Sequence, residues 1–265
     1  MSAAVGITGI EVNNTEEPRK KSGENSILRV EGLRKQFRSK VAVSDVSFSM
    51  KQGDVVGLLG PNGAGKTTTF YMIAGFIKVS GGTVWLDNKN ITMQPMYRRA
   101  KAGINYLPQE PSVFRKLTVA QNVMAVLEAR DDLSAKERKT VLNNLLDDLG
   151  IASLADQRAD TLSGGERRRT EICRSLATNP EFLLLDEPFS GIDPIAVGDL
   201  REIIKRLSVK NIGILITDHN VRDTLAITDY AYIIHHGEIL TSGSPDELLK
   251  DERAREIYLG HDFSM

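Results

Sequence analysis

The sequence predicts an α/β fold with a mainly parallel β core, an antiparallel β layer near the N-terminus and a helical subdomain set into the middle. Three features predict it. Two continuous apolar runs, "EFLLLDE" (181–187) and "GILITDH" (213–219), have the character of strands buried on both faces of a parallel sheet. Earlier β-rich runs, "VSFSM" (46–50), "DVVGLLG" (54–60) and "GTVWLD" (82–87), are separated by glycine turns. Residues 97–158 read as mainly helical, with "TVAQNVMAVLEAR" and "AKERKTVLNNLLDDLGI" the clearest members.

Taken in order, residues 1–26 are polar and without periodicity, and are predicted to form a disordered tail. Arg19, Lys20 and Lys21 come too late for a secretory signal, and no apolar segment follows them. One domain is expected over 27–265, its helical subdomain spanning roughly 110–178. "SILRVEGLRKQF" opens the β layer, and "KTTTFYMIAGF" is a helix directly after the first glycine loop. "AYIIHHGEILTSG" predicts a hairpin turning at His236-Gly237. "SPDELLKDERAREIYLG" predicts one C-terminal helix with Ser244 as N-cap and Pro245 in its first turn.

Composition narrows the function. Thirty-four basic and thirty-five acidic side chains leave a net charge of −1, so nothing in the overall balance favours wrapping nucleic acid. No run approaches the ~18 apolar residues of a membrane span, which predicts a protein that meets a membrane only through partners. The single cysteine, Cys173, cannot form an internal disulfide and is expected to be core filler in a reducing compartment. His235, His236 and His261 show no metal-ligand spacing.

The first chemical motif is "GPNGAGKTT" at 60–68, which satisfies G-x-x-x-x-G-K-[ST] at Gly60, Gly65, Lys66 and Thr67. An apolar strand precedes it and a helical run follows, as a phosphate-cradling loop requires. The backbone of Gly60, Pro61, Asn62, Gly63, Ala64 and Gly65 can turn its N–H groups onto phosphate oxygens at the positive end of the helix. Lys66 would reach the outer phosphates, Thr67 would ligate Mg²⁺, and Thr68 would assist on the phosphates. "FLLLDEP" supplies the complementary carboxylates. Asp186 is placed to hold Mg²⁺, and Glu187 to polarise an attacking water, so the pair implies ATP hydrolysis and not merely binding.

A second glycine turn, "TLSGGERRR" at 161–169, begins another helix, with Ser163 as N-cap and Glu166 three residues on. This motif and its neighbours resemble the ATP-binding cassette (ABC) family over residues 27 to about 260. The resemblance implies the ABC type of phosphate-loop ATPase fold. It also implies that Phe37 stacks on adenine, that Gln109 in "YLPQEPS" contacts Mg²⁺ and senses a membrane partner, and that His219 in "ITDHN" contacts the γ-phosphate. Asp193 in "SGIDP" matches the family's aspartate loop, although Ser190 stands where alanine is frequent. The same resemblance implies a homodimer in which Ser163, Gly164 and Gly165 of one subunit hold the γ-phosphate of ATP bound to the other. It therefore explains why one chain carries two phosphate grips.

Soluble cassette proteins of translation carry two cassettes in one chain, and those of DNA repair carry a long coiled-coil insert; this chain has neither. A regulatory module that binds ATP without turnover would lack Lys66, Asp186, Glu187 or His219, and all four are present. Within the transporters, "LSGGERRR", "DEPFSGIDP", "LITDHNVRDTL" and "IYLGHDF" resemble the ATPases that power lipopolysaccharide export. ATPases of branched-chain amino-acid importers are the alternative. The export resemblance implies LptF-like and LptG-like membrane subunits with LptC, at the cytoplasmic face of the inner membrane. The segment "EPSVFRKLTVAQNV" matches the groove that receives a helix of those subunits, with Phe114 and Arg115 as the candidate contacts.

Overall fold

The computed structural model describes residues 25–260; the predicted tail through residue 24, and His261 with the last four residues, lie outside the described residues. In chain order, β1 (Ile27–Phe37) and β2 (Lys40–Lys51) pair antiparallel, and β3 (Val55–Leu59) leads through the glycine loop into α1 (Lys66–Ala74). β4 (Gly81–Leu86) and β5 (Lys89–Asn90) complete the antiparallel layer. α2 (Met96–Lys101) and β6 (Ile104–Leu107) precede three helices, α3 (Val119–Leu127), α4 (Ala135–Asp148) and α5 (Gly164–Leu176). β7 (Phe182–Asp186), α6 (Pro194–Val209), β8 (Gly213–Thr217) and α7 (Val221–Leu225) follow. The chain then forms the hairpin β9 (Tyr230–His235) and β10 (Glu238–Gly243), followed by α8 (Pro245–Lys250), α9 (Glu252–Ala254) and a π-helical turn (Arg255–Leu259).

The ten strands lie in the order β5-β4-β1-β2-β10-β9-β3-β8-β7-β6. The five from β9 to β6 are parallel, and every residue of β3, β7 and β8 is buried, which accounts for their unbroken apolar runs. The antiparallel layer alternates in burial instead, as a sheet packed mainly on one face does. The two parts meet where Glu238 pairs with Asp45 and the Gly237 carbonyl accepts from the Ser44 and Asp45 amides. One apolar core joins α3, α4 and α5 to the parallel sheet through Val123, Leu127, Leu142, Leu146, Ile172 and Leu183. A second lies between α1 and the antiparallel layer.

Most expected elements are present, and the hairpin turns where predicted, with His236 (φ 49°) and Gly237 (φ 83°) both left-handed. Three expectations need correction. The stretch 97–158, expected to be mainly helical, also contains an unexpected strand, because "INYL" forms β6 at the edge of the parallel sheet. That run is only four residues long and contains Asn105, whose amide is satisfied by the Ser175 carbonyl and Thr178, so its strand pattern is hidden. The C-terminal helix is broken at Asp251 (ψ 116°), whose carboxylate accepts from the Thr241 hydroxyl at 2.6 Å and from the Ala254 amide at 3.0 Å. The tail boundary also falls late: Ser26 is fully buried and donates to Glu181 at 2.6 Å.

Candidate active site

Strand order gathers the chemistry. At the carboxyl ends of β3, β8, β7 and β6, which are neighbours in that order, come the phosphate loop, His219, the Asp186–Glu187 pair and Gln109. The mouths of parallel strands are where open α/β sheets bind ligands.

The phosphate loop is shaped by contacts that exclude side chains. A Cβ on Gly60 (φ 153°) would lie 2.1 Å from the Ile234 carbonyl oxygen, and one on Gly65 (φ 110°) 2.7 Å from that of Ala42. The Gly237 amide donates to the Ala64 carbonyl at 2.9 Å, so the β9–β10 turn supports the loop from behind. Gly65 is the N-cap of α1 and supplies no side-chain cap, which leaves the first-turn N–H groups for an anion. Pro61, Asn62, Gly63 and Thr68 remain at least partly exposed on the same loop and helix start. Lys66 is buried, and its ammonium donates to the carbonyls of Gly60 (2.7 Å) and Pro61 (3.1 Å). Burial lowers its pKa, against the opposing pull of Glu187, Asp186 and Asp218.

Glu187 stands at a left-handed backbone position (φ 45°) fixed by its amide, which donates to the Thr217 carbonyl at 2.7 Å. Such strain in a non-glycine residue is a frequent companion of function. Its Oε2 accepts from the Gln109 side-chain amide at 2.7 Å, and His219 Nδ1 lies 3.3 Å from the same oxygen. Three residues singled out separately in the sequence thus meet at one carboxylate oxygen. Asp186 is almost fully buried, and desolvation raises its pKa. Tyr106 donates to its Oδ2 at 3.0 Å, and the Thr67 hydroxyl also favours its charged form. Its buried Oδ1 has no hydrogen-bond partner among the described residues.

That orphaned oxygen beside a threonine hydroxyl suits a hard divalent cation such as Mg²⁺. No group of three or more His, Cys, Asp or Glu side chains able to hold a metal occurs among the described residues. A site with one or two protein oxygens, completed by phosphates and water, is the arrangement Mg²⁺ favours.

Ser163 caps α5 through a reciprocal box: its Oγ accepts from the Glu166 amide, and its own amide donates to the Glu166 carboxylate at 2.8 Å. Gly165 is buried against α6, where a Cβ would lie 2.6 Å from Ala196 Cβ. Gly164 is exposed and faces a cleft of about 280 Å³ that Gln109, Arg168, Ser190 and Gly191 also line. Asp193 caps α6 by accepting from the Ala196 amide. Phe37, at the end of β1, is half-exposed with the Lys35 ammonium 4.9 Å from its ring centre. Phe114 is half-exposed under the Arg174 guanidinium, and Arg115 is exposed. The structure therefore brings Lys66, Gln109, Asp186, Glu187 and His219 together, while Ser163–Gly165 and Asp193 pack with α6 and its preceding loop.

Residues not singled out in the sequence complete the framework. Arg168, also buried, donates to the Pro108 and Asp186 carbonyls and pairs with Glu171 at 3.0 Å, tying α5 to both the Gln109 loop and β7. Asp218 accepts from the Phe189 and Asn220 amides and so holds the His219 turn against the segment after Glu187. Asn122 bonds the amide and carbonyl of Phe114. Cys173 is core filler as expected, with burial pushing its thiol up to about 12.

The sequence matches the ABC transporter family profile over residues 43–190. The lipopolysaccharide export system ATP-binding protein LptB of Escherichia coli (strain K12) is 50% identical over 238 residues, covering 90% of this chain and 99% of that protein. The protein of the same name from Haemophilus influenzae is 49% identical over 240 residues, covering 91% and 100%. The crystal structure of a nucleotide-free ATP-binding cassette from an ABC transporter superposes with a TM-score of 0.79 at 31% identity, covering 89% of this chain and all of that one. Fold, site geometry and relatives agree that the chain belongs to the ABC transporter family, as an ATP-hydrolysing subunit.

Proposed function

We propose that this chain powers lipopolysaccharide export from the inner membrane, as a homodimer bound on the cytoplasmic side to LptF-like and LptG-like subunits with LptC. The observation that carries this reading is the near-complete coverage, at about half identity, of relatives named for that export system. No helix among the described residues is long and apolar enough to cross a membrane; in this reading the membrane is reached through those partners. Phe114 and Arg115 are the proposed contacts: an exposed aromatic held by Arg174 and Asn122, with a cationic neighbour.

In each half-site Phe37 stacks on adenine, and the backbone of Gly60–Gly65 with Lys66 and Thr68 surrounds the phosphates. Thr67, Asp186 and Gln109 would hold Mg²⁺, which when bound neutralises charge on the transferring phosphoryl group. Glu187 takes the proton of the attacking water, and His219, already beside that carboxylate, contacts the γ-phosphate. The partner's Ser163–Gly165 turn closes on the same phosphate, with its Asp193 loop alongside. Loss of the γ-phosphate then removes the bridge between the subunits.

Pull-down of the tagged chain from detergent-solubilised native membranes tests the export reading. Co-purification of LptF-like and LptG-like subunits is the expected result. Recovery of amino-acid importer permeases instead would overturn the cargo assignment and leave the ATPase chemistry standing.

A further inference from the structure

We propose that Tyr106 is a positioning residue for Asp186, locking one carboxylate oxygen so that the other faces the metal. The inference rests on the reading that Asp186 holds Mg²⁺. Tyr106 lies on β6 and Asp186 ends β7, and these strands run parallel in register, with Tyr106 opposite Leu184. The Tyr106 hydroxyl donates to Asp186 Oδ2 at 3.0 Å. The same carboxylate's Oδ1 is buried without a hydrogen-bond partner among the described residues. The two oxygens therefore have unequal surroundings: one accepts from a phenol, and the other is left for a ligand.

Three aromatic neighbours hold the phenol in place. Edge-to-face contacts put the Tyr106 ring 5.2 Å from Phe76, 5.7 Å from Tyr71 and 6.5 Å from Phe70, all from α1 or the residue after its C-cap. Such geometry opposes rotation of the ring as well as filling space. Thr67 and Tyr71 are four apart on α1 and share a face. One helix thus presents a hydroxyl beside the carboxylate and an aromatic edge to the tyrosine that orients it. Hydrogen-bond partners behind a metal-binding carboxylate set its orientation, and their loss typically weakens metal binding by about 10- to 100-fold.

The test is Tyr106→Phe, which keeps the ring and removes only the hydroxyl. Mn²⁺ stands in for Mg²⁺, and its affinity for the ATP-saturated chain is read by electron paramagnetic resonance; ATP affinity in excess EDTA is read separately. A loss of about tenfold or more in Mn²⁺ affinity, with metal-free ATP affinity unchanged, is the expected result. In an Asp186→Asn background the same change should cause no further loss, because the two residues act as one unit. Unchanged Mn²⁺ affinity in Tyr106→Phe, beside a wild type that Asp186→Asn impairs, would overturn the assignment of Tyr106 alone. Equal losses with and without metal would also overturn it, since they would mark a general distortion. A wild type whose Mn²⁺ binding is indifferent to Asp186→Asn would overturn the metal reading itself.

Discussion

Two helices in this chain begin with glycine turns, and the two beginnings are built on different principles. Before α1, Gly60 and Gly65 have left-handed or extended-positive φ values, and neighbouring carbonyls occupy the space a Cβ would need. The loop is backed by β9, the β9–β10 turn and β2, and no side chain caps the helix. At α5 the cap is a serine in a reciprocal box, and neither Gly164 nor Gly165 has positive φ. Gly165 is explained by the approach of Ala196, but Gly164 is exposed, and the nearest atom to its missing Cβ is the carbonyl oxygen of the exposed Gly191 at 3.2 Å, which a side chain would have to push back by a few tenths of an ångström. The first turn is shaped by its own fold, which leaves the opening N–H groups of α1 without a side-chain cap. The second has an open glycine that its own fold barely requires, which is what a surface completed by another subunit would show.

Substitutions at the two turns should separate accordingly. Lys66→Ala should have the largest effect on chemistry, lowering phosphate release by about 10²- to 10³-fold or more, with little change in melting temperature. Gly164→Asp should also abolish most turnover, because a carboxylate would face the partner's γ-phosphate, yet leave the melting temperature of the isolated chain within about 2 °C of wild type. A large drop in stability would mean that Gly164 serves its own fold. Gly165→Ala should instead destabilise the chain itself, by about 1–3 kcal/mol through overlap with Ala196, seen in denaturant unfolding.

Ser163→Ala should cost about 1 kcal/mol through loss of the cap. The Glu166 carboxylate is held below the ordinary glutamate range by hydrogen bonds from Ser163, backbone first. Its contribution is present above that range and fades as pH falls through the lowered value. Ser163→Ala keeps the amide that contributes most to this shift and loses only the hydroxyl's share, so the stability gap between the two proteins should narrow only slightly on acidification, measured by thermal melts from neutral pH downward.

The elements that carry the candidate site were largely legible because their determinants are local. A strand, a glycine loop and a helix stand next to one another in sequence, and so do the four apolar residues leading into Asp186. What was hidden depends on residues distant in sequence. Tyr106 and Asp186 are eighty positions apart, and they meet only because β6 pairs with β7. Arg168 read as one of three arginines after the glycine turn; its burial follows from α5 lying across the Pro108 and Asp186 carbonyls. The break at Asp251 likewise needs Thr241 from the preceding hairpin, a contact that helix periodicity does not register.

The central claim is that one ATP is held by the phosphate loop of one chain and the Ser163–Gly165 turn of another. Its most direct test is the molar mass of Glu187→Gln by light scattering, with and without saturating Mg-ATP. The substitution keeps the shape of the side chain and removes the carboxylate proposed to activate water, so bound ATP should persist. The account predicts that the mass doubles on adding Mg-ATP, and that Gly164→Asp in the same background prevents the doubling. A Glu187→Gln chain that binds ATP and stays monomeric, or one whose dimer is indifferent to Gly164→Asp, would contradict it.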